Sequence, residues 1–137
     1  MSLPNSDEIL QKTLEHVEHT VVEELKTWLE ANPHAEWKQS PRFKLVEQCS
    51  EIKLREILQQ LAQNSSVATF RTSHSGWEVK EGELIPISHS EGCIIRYGDR
   101  TYPLANGTKM CISKKVRVEI PEGNVLYLVW KVKNSSH

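Results

Sequence analysis

Hydrophobic side chains near the start of the chain recur at intervals of three and four positions, which is the spacing of one face of an α-helix. The positions are Leu10, Leu14, Val17, Val21, Leu25 and Trp28. We therefore predict one long amphipathic helix from Asp7 to Glu30. Asn5 is its expected cap, and Asn32-Pro33 is its expected end.

Two further segments carry helix signals. Ser40-Pro41 is typical of a helix start, with serine as the cap and proline in the first turn. A third helix is predicted from Glu51 to Gln63. Its apolar stripe comprises Leu54, Ile57, Leu58, Leu61 and Ala62.

From Val67 onward the pattern changes to β-branched and aromatic residues separated by short turns, which is typical of β-hairpins. The predicted strands are Val67–Thr72, Trp77–Lys80, Glu83–Ile87, Cys93–Tyr97, Arg100–Leu104, Lys115–Ile120 and Val125–Val132. The alternation predicts an α+β fold in which three N-terminal helices precede an antiparallel sheet of consecutive hairpins. We expect a single domain over residues 1–137, with a helical half at 5–65 and a β-hairpin half at 66–134.

The apolar runs and the cysteine spacing exclude several classes of protein. The longest apolar run, Val125 to Trp130, is far below the roughly 20 residues that a membrane-spanning helix needs. No secretory leader is recognisable, so we expect a cytoplasmic protein without membrane association. Three widely spaced cysteines lack the spacing of a disulfide scaffold or a zinc site, and no cofactor or metal is predicted.

Charge is distributed unevenly although the formal net charge is only −1. Residues 1–35 carry seven acids against two lysines, and residues 93–137 carry eight bases against three acids. If the last two strands pair as a hairpin, four cations fall close together; we call them the predicted basic patch. They are Lys115, Arg117, Lys131 and Lys133. Such a patch favours an anionic partner, whereas the alternative is an edge strand kept soluble by its charges. Pairing of acidic and basic regions between chains, as a homo-oligomer, is a further option.

The order of three helices followed by a strand, a turn and a strand is similar to a winged-helix arrangement. On that interpretation the third helix offers Lys53 and Arg55 to a nucleic acid, and Arg71 lies beside the wing. Residues 36–92 carry no net positive charge, which weakens the case for this element.

The sequence has no Gly-rich phosphate loop, no nucleophile elbow and no metalloprotease helix. His74 and His89 lie in turns, and a thiol such as Cys93 could meet one of them only through the fold. Trp37 and Trp77 are the tryptophans expected to be partly exposed for partner contact. We therefore predict a non-catalytic regulatory or adaptor module that binds another macromolecule, with a protein partner favoured and nucleic acid as the alternative.

Overall fold

The computed structural model describes residues 9–133, which form strands far more than helices. The strands are β1 (Ile9–Thr13), β2 (Lys38–Gln39), β3 (Glu47–Cys49), β4 (Ser65–Thr72), β5 (Trp77–Val79), β6 (Gly82–Ser88), β7 (Ile94–Tyr97), β8 (Arg100–Pro103), β9 (Thr108–Ile112), β10 (Val116–Glu119) and β11 (Leu126–Lys133). The helices are α1 (His16–Ala31) and α2 (Ile52–Leu58), and a single 3-10 turn at Gln59–Leu61 continues α2. Neither α-helix in this range has the length and apolar character needed to cross a membrane.

The strands form two antiparallel sheets that pack face to face. One sheet has seven strands in the order β1-β9-β6-β11-β4-β3-β2, and the other has four in the order β5-β10-β7-β8. Buried residues of both sheets, among them Phe70, Trp77, Ile95, Val118 and Leu128, make one hydrophobic core between them. The two helices cover the outer face of the seven-stranded sheet, so the fold has three layers.

Strand β11 lies at the centre of the larger sheet because it pairs with β4 on one side and β6 on the other. Its alternate residues point to opposite faces. Leu128 and Trp130 enter the core between the sheets, whereas Tyr127 and Val129 face the helices. The continuous apolar character of this segment therefore reflects burial on both faces, as the sequence predicts for a central strand.

The helix layer is held by a second apolar cluster. Val21 and Leu25 of α1 and Leu54 of α2 are fully buried and pack with Ile85 and Val129 of the sheet. Most apolar residues of each helix lie on one stripe, and both helices bury that stripe and leave the opposite face to solvent.

Glu18 and Lys109, which are buried, and Glu83, which is partly exposed, form an ion cluster between α1 and the seven-stranded sheet. Lys109 Nζ donates a hydrogen bond to Glu18 Oε2 at 2.6 Å and lies 3.6 Å from Glu83 Oε1. Burial by itself would raise the pKa of Glu18. The hydrogen bonds from Lys109 and from the Glu15 backbone N–H, together with the positive charges of Lys109 and Lys131, outweigh burial, so the pKa is lowered. Burial likewise opposes the charge of Lys109, and its hydrogen bond to Glu18 and attraction to Glu83 raise its pKa.

The prediction of three N-terminal helices is wrong. Residues Ile9–Thr13 form the edge strand β1, paired with β9, and α1 begins only at His16 with a capping box between Glu15 and Glu18. The apolar residues Leu10 and Leu14 fit either a helix or a strand. Pairing with the distant strand β9 favours the strand over residues 9–13. The predicted cap at Asn5 lies outside the described residues.

The second predicted helix is instead a β-hairpin. Strands β2 and β3 pair across residues 40–46, and the Ser40 backbone N–H donates to the Val46 carbonyl. The Ser40 hydroxyl accepts hydrogen bonds from the backbone N–H groups of Arg42 and Phe43, as a helix cap would. A serine hydroxyl can accept such hydrogen bonds in a turn as well as at the start of a helix, so Ser40 by itself does not distinguish the two structures. The third predicted helix is present as α2 with its 3-10 continuation.

The prediction of consecutive hairpins is also wrong in most places. The pairing of β7 with β8 across Gly98-Asp99 is confirmed. In contrast, β4 and β5 belong to different sheets, as do β5 and β6, and β10 pairs with β5 and β7 and not with β11. Without a β4–β5 hairpin there is no wing, so the winged-helix interpretation does not hold.

Candidate functional site

Four neighbouring strands place a row of polar and aromatic residues on the helix-facing side of the large sheet. Arg71 of β4 is opposite Glu47 of β3 on one side and Tyr127 of β11 on the other. Tyr127 is also opposite Ser88 of β6, where an irregularity in the pairing leaves both residues lining the same depression. Residues that are directly opposite in antiparallel strands point to the same face. The row is therefore held by the backbone hydrogen bonds of a rigid sheet.

Arg71 lies at the centre of this row and has two partners. Its Nε donates a hydrogen bond to Glu47 Oε1 at 2.7 Å, and the carbon at the centre of its guanidinium lies 4.5 Å from the ring centroid of Trp37. Trp37, immediately before β2, also meets Tyr127 edge to face, with centroids 5.8 Å apart. A cation over a tryptophan contributes about 0.5–2 kcal/mol, so these contacts fix the position of the arginine.

His89 brings a third ring to the row. Its backbone has a φ of +62°, an unusual value for a residue other than glycine, and this turn directs the ring toward Tyr127 at a centroid distance of 5.7 Å. The Ser88 hydroxyl lies 3.1 Å from His89 Nδ1, and Asn124 Nδ2 donates to the His89 carbonyl at 2.7 Å. Hydrogen bonds on both the ring and the backbone therefore hold this residue in place.

Two depressions meet at Arg71 and Tyr127, and together we call them the Arg71 groove. One, of about 270 Å³, runs toward the end of α1 and is lined by Lys26, Leu29, Glu30, Pro33, Trp37 and His89 among others. The other, of about 520 Å³, runs toward the β2–β3 turn and is lined by Gln39, Lys44, Leu45, Glu47, His74 and Val125 among others. Arg71 and Tyr127 line both depressions, so the two lie side by side on the same face of the sheet, next to this pair.

The predicted basic patch does not assemble. Arg117 alternates with the core residues Val116 and Val118, so it points out from the four-stranded sheet. Lys131 lies on the helix-facing side of the seven-stranded sheet, because its neighbours Trp130 and Val132 pack into the core between the sheets. The two predicted pairs therefore lie on opposite outer faces of the sandwich, and the assumed hairpin that would have joined them is absent.

Each half of that patch has nearby acids. Lys115 Nζ lies 3.3 Å from Glu78 Oε1 in an exposed pair. Lys131 and Lys133 line a depression of about 540 Å³ at the far end of β11 from Tyr127, together with Glu81 and Glu83. None of the residues described around that depression is aromatic. Balanced charge and the lack of rings make it a weaker recognition surface than the Arg71 groove.

The remaining sequence candidates are spread over the surface. Lys53 and Arg55 are exposed on α2, where Lys53 pairs with Glu56 at 3.8 Å. His74 and His89 line the two depressions of the Arg71 groove, so both reach the same surface from different turns.

Cys93 is not arranged for catalysis with either histidine. Its thiol is buried, 3.4 Å from Asn124 Nδ2 and 3.7 Å from the main-chain carbonyl of His89, and it does not meet the imidazole. Burial raises the pKa of the thiol in spite of the hydrogen bond from Asn124. The nucleophilic thiolate is therefore disfavoured. Over residues 9–133, no cluster of three or more acids, histidines or cysteines is placed to hold a metal ion.

Sequence reasoning found part of the groove and missed its centre. Trp37 is partly exposed as predicted, whereas Trp77 is buried in the core, 5% exposed. The sequence pattern does not single out Tyr127, because this residue lies in a segment that is apolar on both faces. The available signal was that tyrosine is the one residue of that strand's helix-facing side with both an apolar ring and a polar tip. Comparison of the chain with protein-family models and with curated protein sequences gave no match.

Proposed function

We propose that this chain is a non-catalytic module that binds another protein, and that the Arg71 groove is its recognition surface. The observation that carries the proposal is the presence of Trp37, Tyr127 and Arg71 in mutual contact within one concavity. Tryptophan, tyrosine and arginine are the residue types that dominate binding energy at protein interfaces.

The groove is also arranged in advance of binding. Arg71 and Tyr127 are directly paired on adjacent strands, and Gln39 Nε2 anchors the β2–β3 turn through hydrogen bonds to the carbonyls of Phe43 and Lys44 at 2.8 and 2.7 Å. A surface whose side chains are already ordered loses less conformational entropy on binding. This favours recognition of a partner over a role as a passive scaffold.

The alternative, nucleic-acid binding, has less support. It depended on the third predicted helix, the wing hairpin or the predicted basic patch. Of these, only the helix is present, as α2. We retain the cytoplasm as the proposed compartment because Cys49, Cys93 and Cys111 are unpaired thiols, as is usual in a reducing environment. Self-association stays a secondary option, because the attraction between the acidic helix and a basic strand is already used within one chain, where Glu18 pairs with Lys109.

Selection from a phage-displayed library of random peptides tests the proposal. We expect binders whose affinity falls at least tenfold on Trp37→Ala, since removing an interface hot spot costs about 2 kcal/mol or more. Ile52→Ala is the matched control, because Ile52 is a large exposed side chain on α2, outside the groove. Circular dichroism verifies that both variants stay folded. Recovery of no peptide that depends on Trp37 would refute the proposal.

A further inference from the structure

The Arg71 groove has a charge that suits one class of partner. Its lining carries Lys26, Lys44 and Arg71 against two acids, Glu30 and Glu47. Glu47 is already paired with Arg71 through Nε. Within residues 9–133, neither Lys26 nor Lys44 has an acid within ion-pair distance, so the cations at both ends of the groove are available to a ligand.

Arg71 still has donors to offer at the centre. Its hydrogen bond to Glu47 uses Nε alone, and the described residues provide no hydrogen-bond acceptor to the two terminal nitrogens of its guanidinium. Those nitrogens form the planar fork that binds a carboxylate in bidentate fashion. Because Trp37 holds the guanidinium at 4.5 Å, a ligand carboxylate meets a donor that is already oriented.

The shape of the groove selects an extended ligand. The two depressions lie on either side of the Arg71–Tyr127 pair, one toward Leu29 and Pro33 and the other toward Lys44 and Leu45. A strand-like peptide projects alternate side chains to opposite sides at about 3.3 Å per residue, so one residue can contact Arg71 while its neighbours reach the depressions. Trp37, Leu29 and Pro33 supply apolar surface for a large side chain.

We infer that the partner presents an extended acidic peptide segment, with carboxylates directed at Arg71 and Lys44 and one aromatic or large aliphatic side chain placed beside Trp37. This inference rests on the proposed function and specifies its partner. A single-stranded nucleic acid fits less well. Base stacking needs an open aromatic face, and the Trp37 ring has Arg71 over it.

The test uses the sequences of the selected phage peptides and the affinities of labelled synthetic copies. Peptides whose binding depends on Trp37 should be enriched in aspartate and glutamate, and replacing those residues by the corresponding amides should weaken binding roughly tenfold or more, because hydrogen bonds to charged groups are lost. Raising the salt concentration should weaken the same complexes.

Two protein variants separate a specific contact from a general charge effect. Lys44→Gln should weaken binding several-fold, and Lys53→Gln, an exposed lysine on α2 outside the groove, should leave it unchanged. Arg71→Gln should weaken it roughly tenfold or more. Lys44→Gln keeps the test decisive if loss of Arg71 disturbs the sheet, because Lys44 is exposed in a turn.

The outcomes are distinguishable. Acidic peptides that lose affinity in Lys44→Gln support the inference. Peptides that depend on Trp37 but are neutral or basic overturn the inference and leave the proposed function standing. If no peptide depends on Trp37, both fail. A single-stranded oligonucleotide that binds more tightly than any selected peptide, and loses that affinity in Trp37→Ala, would also overturn both.

Discussion

Lys109→Met should destabilise this protein far more than loss of an ordinary surface ion pair. The substitution keeps an apolar stem of similar length but removes the ammonium group between Glu18 and Glu83. Lys109 is only 9% exposed and Glu18 4%, so water replaces little of the lost interaction. Removing one partner of a buried ion pair typically costs about 3–5 kcal/mol, because the remaining charge stays buried without compensation.

Protonation of Glu18 limits how much stability Lys109→Met can remove. Without Lys109, the Glu18 carboxylate can bind a proton and so lose its charge. Because the ordinary pKa of this group is near 4.5, protonating it at neutral pH costs about 3–4 kcal/mol. Each pH unit between the pKa and neutrality is worth about 1.4 kcal/mol. We therefore expect Lys109→Met to lower the free energy of unfolding by about 3 kcal/mol.

Urea denaturation followed by tryptophan fluorescence measures this loss directly. Lys115→Met is the matched control, since its pair with Glu78 is exposed, with side chains 64% and 52% accessible, and should contribute less than about 1 kcal/mol. The dependence on urea should keep the same slope in all variants if only stability changes. Equal losses in Lys109→Met and Lys115→Met would refute the assignment of the cluster as a buried, stabilising contact.

The same cluster predicts a dependence on pH. Because the folded protein lowers the pKa of Glu18, its contribution is complete above the ordinary value of about 4.5 and is lost as the pH falls through the lower folded value. Wild type should therefore be more stable than Glu18→Gln at neutral pH, and the two should converge in acid. Glu18→Gln should cost less than Lys109→Met because Lys109 keeps Glu83. A difference between wild type and Glu18→Gln that does not change with pH would contradict this explanation.

Three further predictions concern other parts of the molecule. Gly82→Ala should lower the free energy of unfolding by at least about 2 kcal/mol, because at a φ of +151° the added Cβ would lie 2.6–2.7 Å from Trp130 and the Lys131 carbonyl. Gly98→Ala, which has open space around the added Cβ, should lower it by about 1 kcal/mol, and equal melting temperatures of the two variants would disprove the difference. Cys93 should react slowly with iodoacetamide at neutral pH in the native protein and quickly in strong urea, because burial in the folded protein raises the pKa of its thiol. Mass spectrometry measures the labelling, and fast labelling of the native protein would contradict this prediction. Fluorescence anisotropy with duplex DNA should show no salt-sensitive binding that depends on the predicted basic patch, since its two halves face apart; a tenfold loss on replacing all four residues by glutamine would reverse that conclusion.

Sequence alone determined the features that depend on near neighbours along the chain. The alternation of Val116 and Val118 with Arg117 identified β10, and the turn at Gly98-Asp99 identified the hairpin of β7 and β8. The apolar stripe that includes Leu54 identified α2. Each of these signals arises from backbone geometry over a few residues, so it can be interpreted before the fold is known.

Only the tertiary structure decided which strands pair and which segments change type. Backbone hydrogen bonds are chemically alike in every strand, so the local pattern does not say that β10 joins β5 and β7 while β11 joins β4 and β6. The segment Ile9–Thr13 became a strand because β9, almost a hundred residues later, offered it a free edge.

The candidate site shows the same division. Arg71, His74, His89 and Trp37 were identified from the sequence for separate reasons, and their convergence around Tyr127 follows from the strand register. The sequence determined the chemistry that is available on this surface. The fold decided where that chemistry is concentrated, because burial of two apolar layers chose the strand order and with it the neighbours of each polar residue.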